Sequence, residues 1–566
     1  MDNKNISRKQ ALKHLGGLVI SSGLLPAIPF TASSKQLTAP EKTKRGRSAA
    51  PRKQPHIILI MTDQHRGDAL GCDGNKSIQT PHIDSLAREG THFSQAYTPS
   101  PSCTPARSCL LTGMTPWHTG LLGYGRVARQ YKYELPRMLR EAGYYTFGIG
   151  KNHWFPQKAL HGFHGTLVDE SGRMEQDGFV SDYRDWFKFH APGTDPDKTG
   201  LGWNSYEARP YALKETLHPT RWIGQTAVDF IDRYELDAPV YLKVSFERPH
   251  SPYDPPQRYV DRYRGVRMPG PVTGSWEGSI FNHPAGSNHI PTSGPPDAAF
   301  GDFGLDQVLK TKKFYYANIS FIDDQVGELI AKLKEKGMYD NALICFTADH
   351  GDAMGDHYRW RKTYPYQGSV RIPCIVKWPR SINTAVKQGA TQDQPVGLQD
   401  ILPTFLEAAG SQVPEDMDGK SLLGLVTGKT TGWRPYIGME HAATYWKNNY
   451  WAAVTDGKSK YIWYFRTGQE QFFDLSIDPG EKEDLIDKAG ASARIARWRG
   501  HLVDYLQERG PEFVKDGKLV KRTRTMLYGP LYPKSDEDDP RWLRYWQKQA
   551  DSGFTLHETS SDSAPD

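Results

Sequence analysis

The sequence predicts a large α/β protein in which a central, mostly parallel sheet carries helices on both faces and a smaller unit with a short antiparallel sheet follows. Apolar runs alternate with amphipathic segments over residues 55–430, the pattern of strands that return through helices. Four of those runs end in residues able to hold a cation or an anion, and open α/β sheets place their ligands at strand C-terminal ends. After about residue 430 the texture changes to short, aromatic-rich strands. The chain has 566 residues, 37% hydrophobic and 24% charged, enough to bury a core without a disulfide or structural metal. Mean hydropathy is −0.64 and no apolar run approaches the ~18 residues of a membrane span, which excludes an integral membrane protein.

Residues 1–32 read as an export signal. Lys4, Arg8, Lys9 and Lys13 precede a short apolar stretch broken by Gly16, Gly17, Gly23 and Pro26, and small residues follow at Thr31 to Ser34. The run Ser7-Arg8-Lys9-Gln10-Ala11-Leu12-Lys13 resembles a twin-arginine signal with one arginine replaced by lysine, so either export route stays open. A periplasmic or secreted protein is the expectation, and with no cysteine behind the apolar stretch no lipid anchor is expected. Residues 33–54 form a basic linker. The whole chain is +6, but its first 54 residues carry 11 Lys and Arg against two acids, which leaves the remainder at −3. A nucleic-acid binder carries its positive charge on the folded body, so that class is excluded. The five cysteines contain no CxxC, and their odd number leaves at least one without a disulfide partner.

The first strand is the run after Pro55, ending at Asp63. A helix over 83–89 and a strand over 91–97 follow, then a Pro/Ser-rich loop into 106–112. Residues 133–142 read as a helix and 144–149 as a strand that runs into Gly150-Lys151. Residues 239–246 are a strand leading to Glu247-Arg248-Pro249-His250, 312–336 a long helix, and 342–347 a strand ending at Asp349-His350. Stretches 155–235 and 255–305 are insertions of the kind that shape a pocket. Strands at 450–455, 461–464 and 471–475 and a helix at 491–508 make a C-terminal α+β unit, 431–540, after the main domain, 55–430. Residues 541–566 are an acidic, Ser-rich tail.

The sharpest motif is Cys103-Thr104-Pro105-Ala106-Arg107, extended by Ser108-Cys109-Leu110-Leu111-Thr112-Gly113. It resembles the signature of the type I sulfatases of the alkaline phosphatase superfamily, Cys/Ser-x-Pro-x-Arg. The resemblance implies an alkaline-phosphatase-like α/β/α sandwich and oxidation of Cys103 to formylglycine by a maturation enzyme. One hydroxyl of the hydrated aldehyde then attacks sulfur, the other remains to expel sulfate, and Arg107 holds the diol. Asp63-Gln64 and Asp349-His350 match the family's metal positions, usually Asp-Asp and Asp-Asn, with Cys103 beside the metal. Oxygen donors suit a hard divalent cation, so Ca²⁺ is the first expectation, while the imidazole keeps Mn²⁺ open and Mg²⁺ remains an alternative. Gly150-Lys151-Asn152-His153, Pro249-His250-Ser251-Pro252-Tyr253 and Lys362 match the family's cationic residues. By resemblance Lys151 binds a sulfate oxygen, His153 takes the diol proton, and His250 with Lys362 protonates the leaving alcohol.

The Gln64/His350 pair also resembles the phosphonate monoester hydrolases, but that branch has uncharged residues where this chain has Lys151 and His153. Those two contact the group transferred, so a sulfatase is the preferred reading, with a phosphonate or phosphate ester hydrolase and a non-catalytic binder of sulfated glycan as alternatives. A purely structural secreted protein fits poorly with charged groups at so many strand ends. The expected substrate is a sulfated carbohydrate. The crowd Trp433, Tyr445, Trp446, Tyr450, Trp451, Trp463 and Tyr464 fits either sugar stacking or a buried sheet core. His65, Arg66, Arg173 and Tyr206 lie on loops with no assigned place, and the glycosylation pattern at Asn318 falls in the long predicted helix.

Overall fold

Residues 56–63 read His-Ile-Ile-Leu-Ile-Met-Thr-Asp, and in the computed structural model they form strand β1 (His56–Asp63), buried from Ile57 onward. Ile57, Leu59 and Met61 pack into one core and Ile58 and Ile60 into another, because successive strand residues point to opposite faces. A strand covered on both sides is apolar throughout, as the parallel-sheet reading requires. The structure describes residues 54–553 except 172, 174–177, 198, 278–289, 384–385 and 430. The expected export signal, nearly all of the linker and the end of the tail lie outside the described residues.

Along the chain follow α1 (Pro81–Glu89), β2 (Thr91–Phe93), β3 (Ala96–Tyr97), α2 (Cys103–Thr112), α3 (Leu135–Glu141), β4 (Tyr145–Gly150) and β5 (Gly165–Val168). Next come α4 (Pro219–Asp232), β6 (Val240–Pro249), α5 (Leu305–Glu335), β7 (Ala342–Ala348), β8 (Cys374–Lys377), β9 (Ala390–Gln392), β10 (Val396–Gly397) and α6 (Ile401–Ala408). The C-terminal part adds β11 (Ile437–His441), β12 (Trp451–Thr455), β13 (Ser459–Tyr464), β14 (Glu470–Asp474), α7 (Ser492–Leu506) and α8 (Pro540–Ser552).

The main sheet has the order β5-β4-β6-β1-β7-β8-β2-β9. From β5 to β7 every pairing is parallel; β8 is antiparallel to both neighbours. Helices α1, α4 and α5 cover one face, and α2, α3 and α6 cover the other. The sheet β11-β12-β13-β14 is wholly antiparallel and shares the second core through Ala452, Val454, Tyr461 and Phe472. The aromatic crowd is buried on both sides of that sheet: Tyr450 and Trp463 in the shared core, with half-buried Trp433 against it, and Tyr445, Trp446, Trp451 and Tyr464 in a separate cluster, so they are chiefly core.

Three elements differ from their sequence reading. The strand expected over 91–97 is two strands in different sheets, because Ser94 and Gln95 hand the chain from β9 to β10 by backbone hydrogen bonds to Gln392 and from Val396. Helix α5 begins at Leu305, seven residues early; its first turns carry Leu305, Val308 and Leu309 at helical spacing, and Val308 is buried. The reading of 541 onward as tail is corrected by α8, whose start is capped by the Asp539 carboxylate and whose Trp546 and Ala550 are buried. Asn318 is fully buried within α5, inaccessible to glycosylation. All five cysteines are described and none forms a disulfide.

Candidate active site

Strands β4, β6, β1 and β7 are consecutive neighbours and all parallel, so their C-terminal ends open on one edge of the sheet. The register pairs Gly150 with Ser245, Asp63 with Pro249 and Thr62 with Ala348. Lys151, His250, Asp63 and Asp349, far apart in sequence, thereby come to one place. Gly150 has φ +89°, and a Cβ there would lie 2.1 Å from the Ser245 carbonyl oxygen, so only glycine lets the chain turn into Lys151 at this approach.

Cys103 comes to the same edge from α2. It is the first residue of that helix, all ten of whose residues are buried. The sequence reading kept the Pro/Ser-rich loop up to 106; Pro105 is accommodated in the helix because a third helical residue has no intrahelical partner for its missing N–H. The helix N-terminus favours negative charge at Cys103. Its Sγ lies 3.0 Å from Lys362 Nζ, 3.3 Å from His350 Nε2 and 3.8 Å from each Asp63 oxygen. Burial and Asp63 push the thiol up, but Lys362, Lys151 and His350 outweigh them and hold it at about 6.

Asp63, Asp349, His350 and Cys103 each place a ligand atom within 4.8 Å of the others, and all four are buried. The Nδ1–H of His350 donates to the Gly351 carbonyl at 2.9 Å, which leaves Nε2 with its lone pair toward the cluster. Burial and Lys362 push this imidazole down, but Asp349 and Cys103 together outweigh them and hold it above its ordinary range. Gln64 Nε2 donates to Asp352 at 2.6 Å, and Gln64 Oε1 is buried and meets no protein donor. A carbonyl oxygen left bare beside two carboxylates and an imidazole is a donor set that fits a divalent cation.

Cations ring this cluster. Arg107 donates to Asp349 (2.8 Å), to the Lys151 carbonyl (2.8 Å) and to Ser245 Oγ (3.1 Å), and reaches Asp63 at 3.3 Å. Lys151 Nζ pairs with Asp63 at 2.5 Å. Burial favours neutral Asp63, yet Lys151, His250, Lys362 and Arg107 together hold it well below the carboxylate range. Burial, then Arg173 and Lys151, hold His153 well below the usual histidine range. Burial and Lys362 do the same to His250, whose Nδ1–H donates to the Ser251 carbonyl at 2.8 Å and whose Nε2 is bare. Lys362 keeps its charge: Cys103 and Asp63 outweigh its burial.

Several contributors carried no signal in the sequence. Glu170 accepts the backbone N–H groups of Asn152 and His153, fixing the Lys151–His153 turn. Asp352 orients Gln64, and Tyr253 donates to the same carboxylate at 2.7 Å. Of the unplaced residues, Arg173 lies against His153, with Nη1 3.0 Å from Nδ1. His65 instead packs behind β1, Arg66 pairs with Asp68 and Asp356, and Tyr206 stacks on Phe303 away from the cluster. Only Asp352, Tyr253 and Ser245 could have been found, as neighbours of motif residues.

Comparison with known proteins gives the family of the chain. The sulfatase family profile matches residues 55–411, and the profile for the C-terminal part of N-sulphoglucosamine sulphohydrolase matches 355–508. An arylsulfatase of Clostridium perfringens is 36% identical over 484 residues, covering 83% of this chain and 98% of its own length. An N-acetylglucosamine-6-O-sulfatase of Bacteroides thetaiotaomicron is 25% identical, covering 89% of this chain and 93% of its own. Among solved structures, the phosphonate monoester hydrolase of Agrobacterium radiobacter superposes with TM-score 0.69 at 22% identity, covering 83% of this chain and all of its own. That likeness is one of fold.

Proposed function

The chain belongs to the sulfatase family and is a sulfuric ester hydrolase, and from that premise we propose that it cleaves sulfate from a sulfated carbohydrate using formylglycine at Cys103 and one divalent cation. The observation that carries the reading is Cys103 at the head of a buried helix, between the Asp63/Asp349/His350 cluster and Lys362. A sugar substrate is supported by the glucosamine sulfatase among its relatives.

Asp63, Gln64, Asp349 and His350 hold the cation, which supplies charge to polarise a sulfuryl oxygen. Converted to formylglycine, Cys103 supplies a hydrated aldehyde with one hydroxyl for attack and one for release. Arg107 orients that group and is itself fixed by Asp349, the Lys151 carbonyl and Ser245. Lys151 meets a non-bridging sulfate oxygen, where its charge offsets what develops in the transition state. His250 and Lys362 stand where the alcohol leaves: Lys362, which keeps its charge, supplies the proton that spares an alkoxide, and the bare Nε2 of neutral His250 relays it. His153, neutral and flanked by Arg173, takes the diol proton that ends the cycle. The leader read at residues 1–32 makes the enzyme an exported one.

The test is the mass of the Cys103 peptide from protein made alongside a maturation enzyme, together with turnover of 4-nitrophenyl sulfate. Formylglycine lowers the mass by about 18 Da, opposite in sign to ordinary thiol oxidation, and Cys103→Ala abolishes turnover while the fold stays intact. An unmodified cysteine in fully active protein, or near-wild-type activity in the alanine variant, overturns the nucleophile assignment. Faster turnover of a phosphonate monoester than of aryl sulfate supports instead the reading that the Gln64/His350 pair favours.

A further inference from the structure

Arg361 is 2% exposed, yet among the described residues its guanidinium pairs with no carboxylate. One Nη2 hydrogen goes to the Asp297 carbonyl, while Nε and Nη1 are buried and bond to nothing in the protein. The nearby Asp352 is already spent: its Oδ1 takes the backbone N–H groups of Met354 and Arg361, and its Oδ2 takes Gln64 and Tyr253. A buried charge is tolerated when something compensates it. Here the compensation in the protein is a face contact, with the guanidinium carbon 4.7 Å from the centre of the Tyr445 ring.

Tyr445 is itself unusual. It holds φ +72°, a left-handed conformation costly for a tyrosine, and its buried hydroxyl has no partner. The adjacent Trp446 Nε1 is bare as well. The turn carrying these two is fastened to the loop carrying Arg361. Asn449 Nδ2 donates both to the Thr444 carbonyl (3.0 Å) and to Thr363 Oγ1 (2.8 Å), and Trp451 Nε1 donates to the Thr363 carbonyl (2.9 Å). Between Arg361 and Thr363 stands Lys362, 3.0 Å from Cys103 Sγ. A fixed cation with two donor nitrogens free of protein partners and the strained tyrosine whose ring it faces therefore lie beside the residue placed at the departing oxygen.

We propose that Arg361 and the Tyr445 hydroxyl form an anion subsite on the leaving-group side, so that the preferred substrate is a sulfate ester whose alcohol carries a second negative group, a carboxylate or a further sulfate, close to the scissile oxygen. The proposal rests on the sulfatase reading and narrows it from sulfated carbohydrate to one with two neighbouring anions. A planar guanidinium presenting paired N–H donors suits either oxyanion. An alcohol carrying a cation is disfavoured by the same charge.

The experiment uses matured enzyme and compares kcat/KM for 4-nitrophenyl sulfate with its derivatives bearing a carboxylate, a sulfonate or a trimethylammonium group at ring position 2 or 3. The expected result is a preference of about tenfold or more for one anionic derivative, as one charge-assisted hydrogen-bonded pair gives, with the trimethylammonium ester below the plain one. Carboxylate and sulfonate arms tell which oxyanion fits. In Arg361→Met the anionic-to-plain ratio falls about tenfold, and in Arg361→Lys only part of it survives, because an ammonium keeps the charge but not the planar donors or the stacking on Tyr445; if the methionine variant loses its wild-type circular dichroism, Arg361→Gln is measured in its place. A wild-type ratio at or below one for every anionic derivative overturns the subsite, as does a variant that slows plain and anionic esters equally. Failure of matured enzyme to cleave any of the sulfates is a different result, and it removes the sulfatase reading itself.

Discussion

Gln64 has two ends, and Asp352 decides which of them faces the metal cluster. The carboxylate takes Gln64 Nε2 and the Tyr253 hydroxyl on Oδ2, and two backbone N–H groups on Oδ1, so the carbonyl end of Gln64 is left toward Asp63 and Asp349. Asp352→Asn keeps the shape but replaces Oδ2 with an amide donor. Gln64 then has to turn its own oxygen toward Asn, presenting N–H groups to the cation. We expect cation affinity to fall about 10- to 100-fold, as for other lost supports of metal ligands, with the melting temperature of the metal-free protein little changed. Metal titration followed by activity and by thermal shift checks both halves; unchanged affinity removes Asp352 from this role. The reacting groups were legible residue by residue because reactive side chains at fixed spacing are rare by chance. Asp352, Glu170 and Arg173 act by holding other residues: Asp352 was in reach only as a neighbour of the Asp349-His350 motif, Arg173 only as a loop residue without a place, and nothing in the type or spacing of Glu170 distinguishes it from a surface charge.

At the scale of elements, helix α1 starts without a side-chain cap of its own, since Thr80 makes none. Its first N–H groups are taken instead by Asp323 of α5, which accepts from His82 at 3.1 Å and Ile83 at 2.7 Å. Burial pushes the Asp323 carboxyl up to about 8 against those hydrogen bonds, with Asp84 and Asp324 adding to the rise. A carboxyl whose folded value lies above its unfolded value contributes stability at low pH, and that contribution fades as pH climbs from about 4 through about 8. Asp323→Asn has no such proton to lose. Relative to wild type the variant should gain melting temperature steadily between pH 5 and pH 8, and a difference that is flat with pH contradicts the assignment. Cross-element caps of this kind escape sequence reading, which finds a helix over 83–89 but not what lies opposite its start. The same limit split the strand expected at 91–97 between two sheets, where local pattern and tertiary partner disagree.

For the whole molecule, the sheet was legible because burial on both faces writes itself into the sequence as uninterrupted apolar runs, and the four that matter end in Asp63, Lys151, His250 and Asp349. Strand order was not legible, yet order makes the site: only because β4, β6, β1 and β7 are neighbours do those four ends meet. The C-terminal aromatics could not be divided into core and pocket, since a buried ring and a stacking ring have the same composition; the strained backbone of Tyr445 is what separates it from the others. A site assembled from four strand ends and α2 also ties their positions together. Without a cation, Asp63 and Asp349 are balanced by Arg107 and Lys151, Gln64 Oε1 is buried with no protein donor to meet, and His350 Nε2 faces the Cys103 thiol at 3.3 Å. Binding a cation to the folded state alone adds stability as RT ln(1 + [L]/Kd), about 2.7 kcal/mol at a hundredfold excess over Kd. Exhaustive chelation should therefore lower the melting temperature by a few degrees as well as remove activity, and the two should return together. If Ca²⁺ restores both at lower concentration than Mn²⁺, the three oxygens set the preference; if Mn²⁺ does, His350 sets it. A protein whose melting and turnover both ignore chelation has no cation among these strand ends, and the bare Gln64 oxygen then needs another explanation.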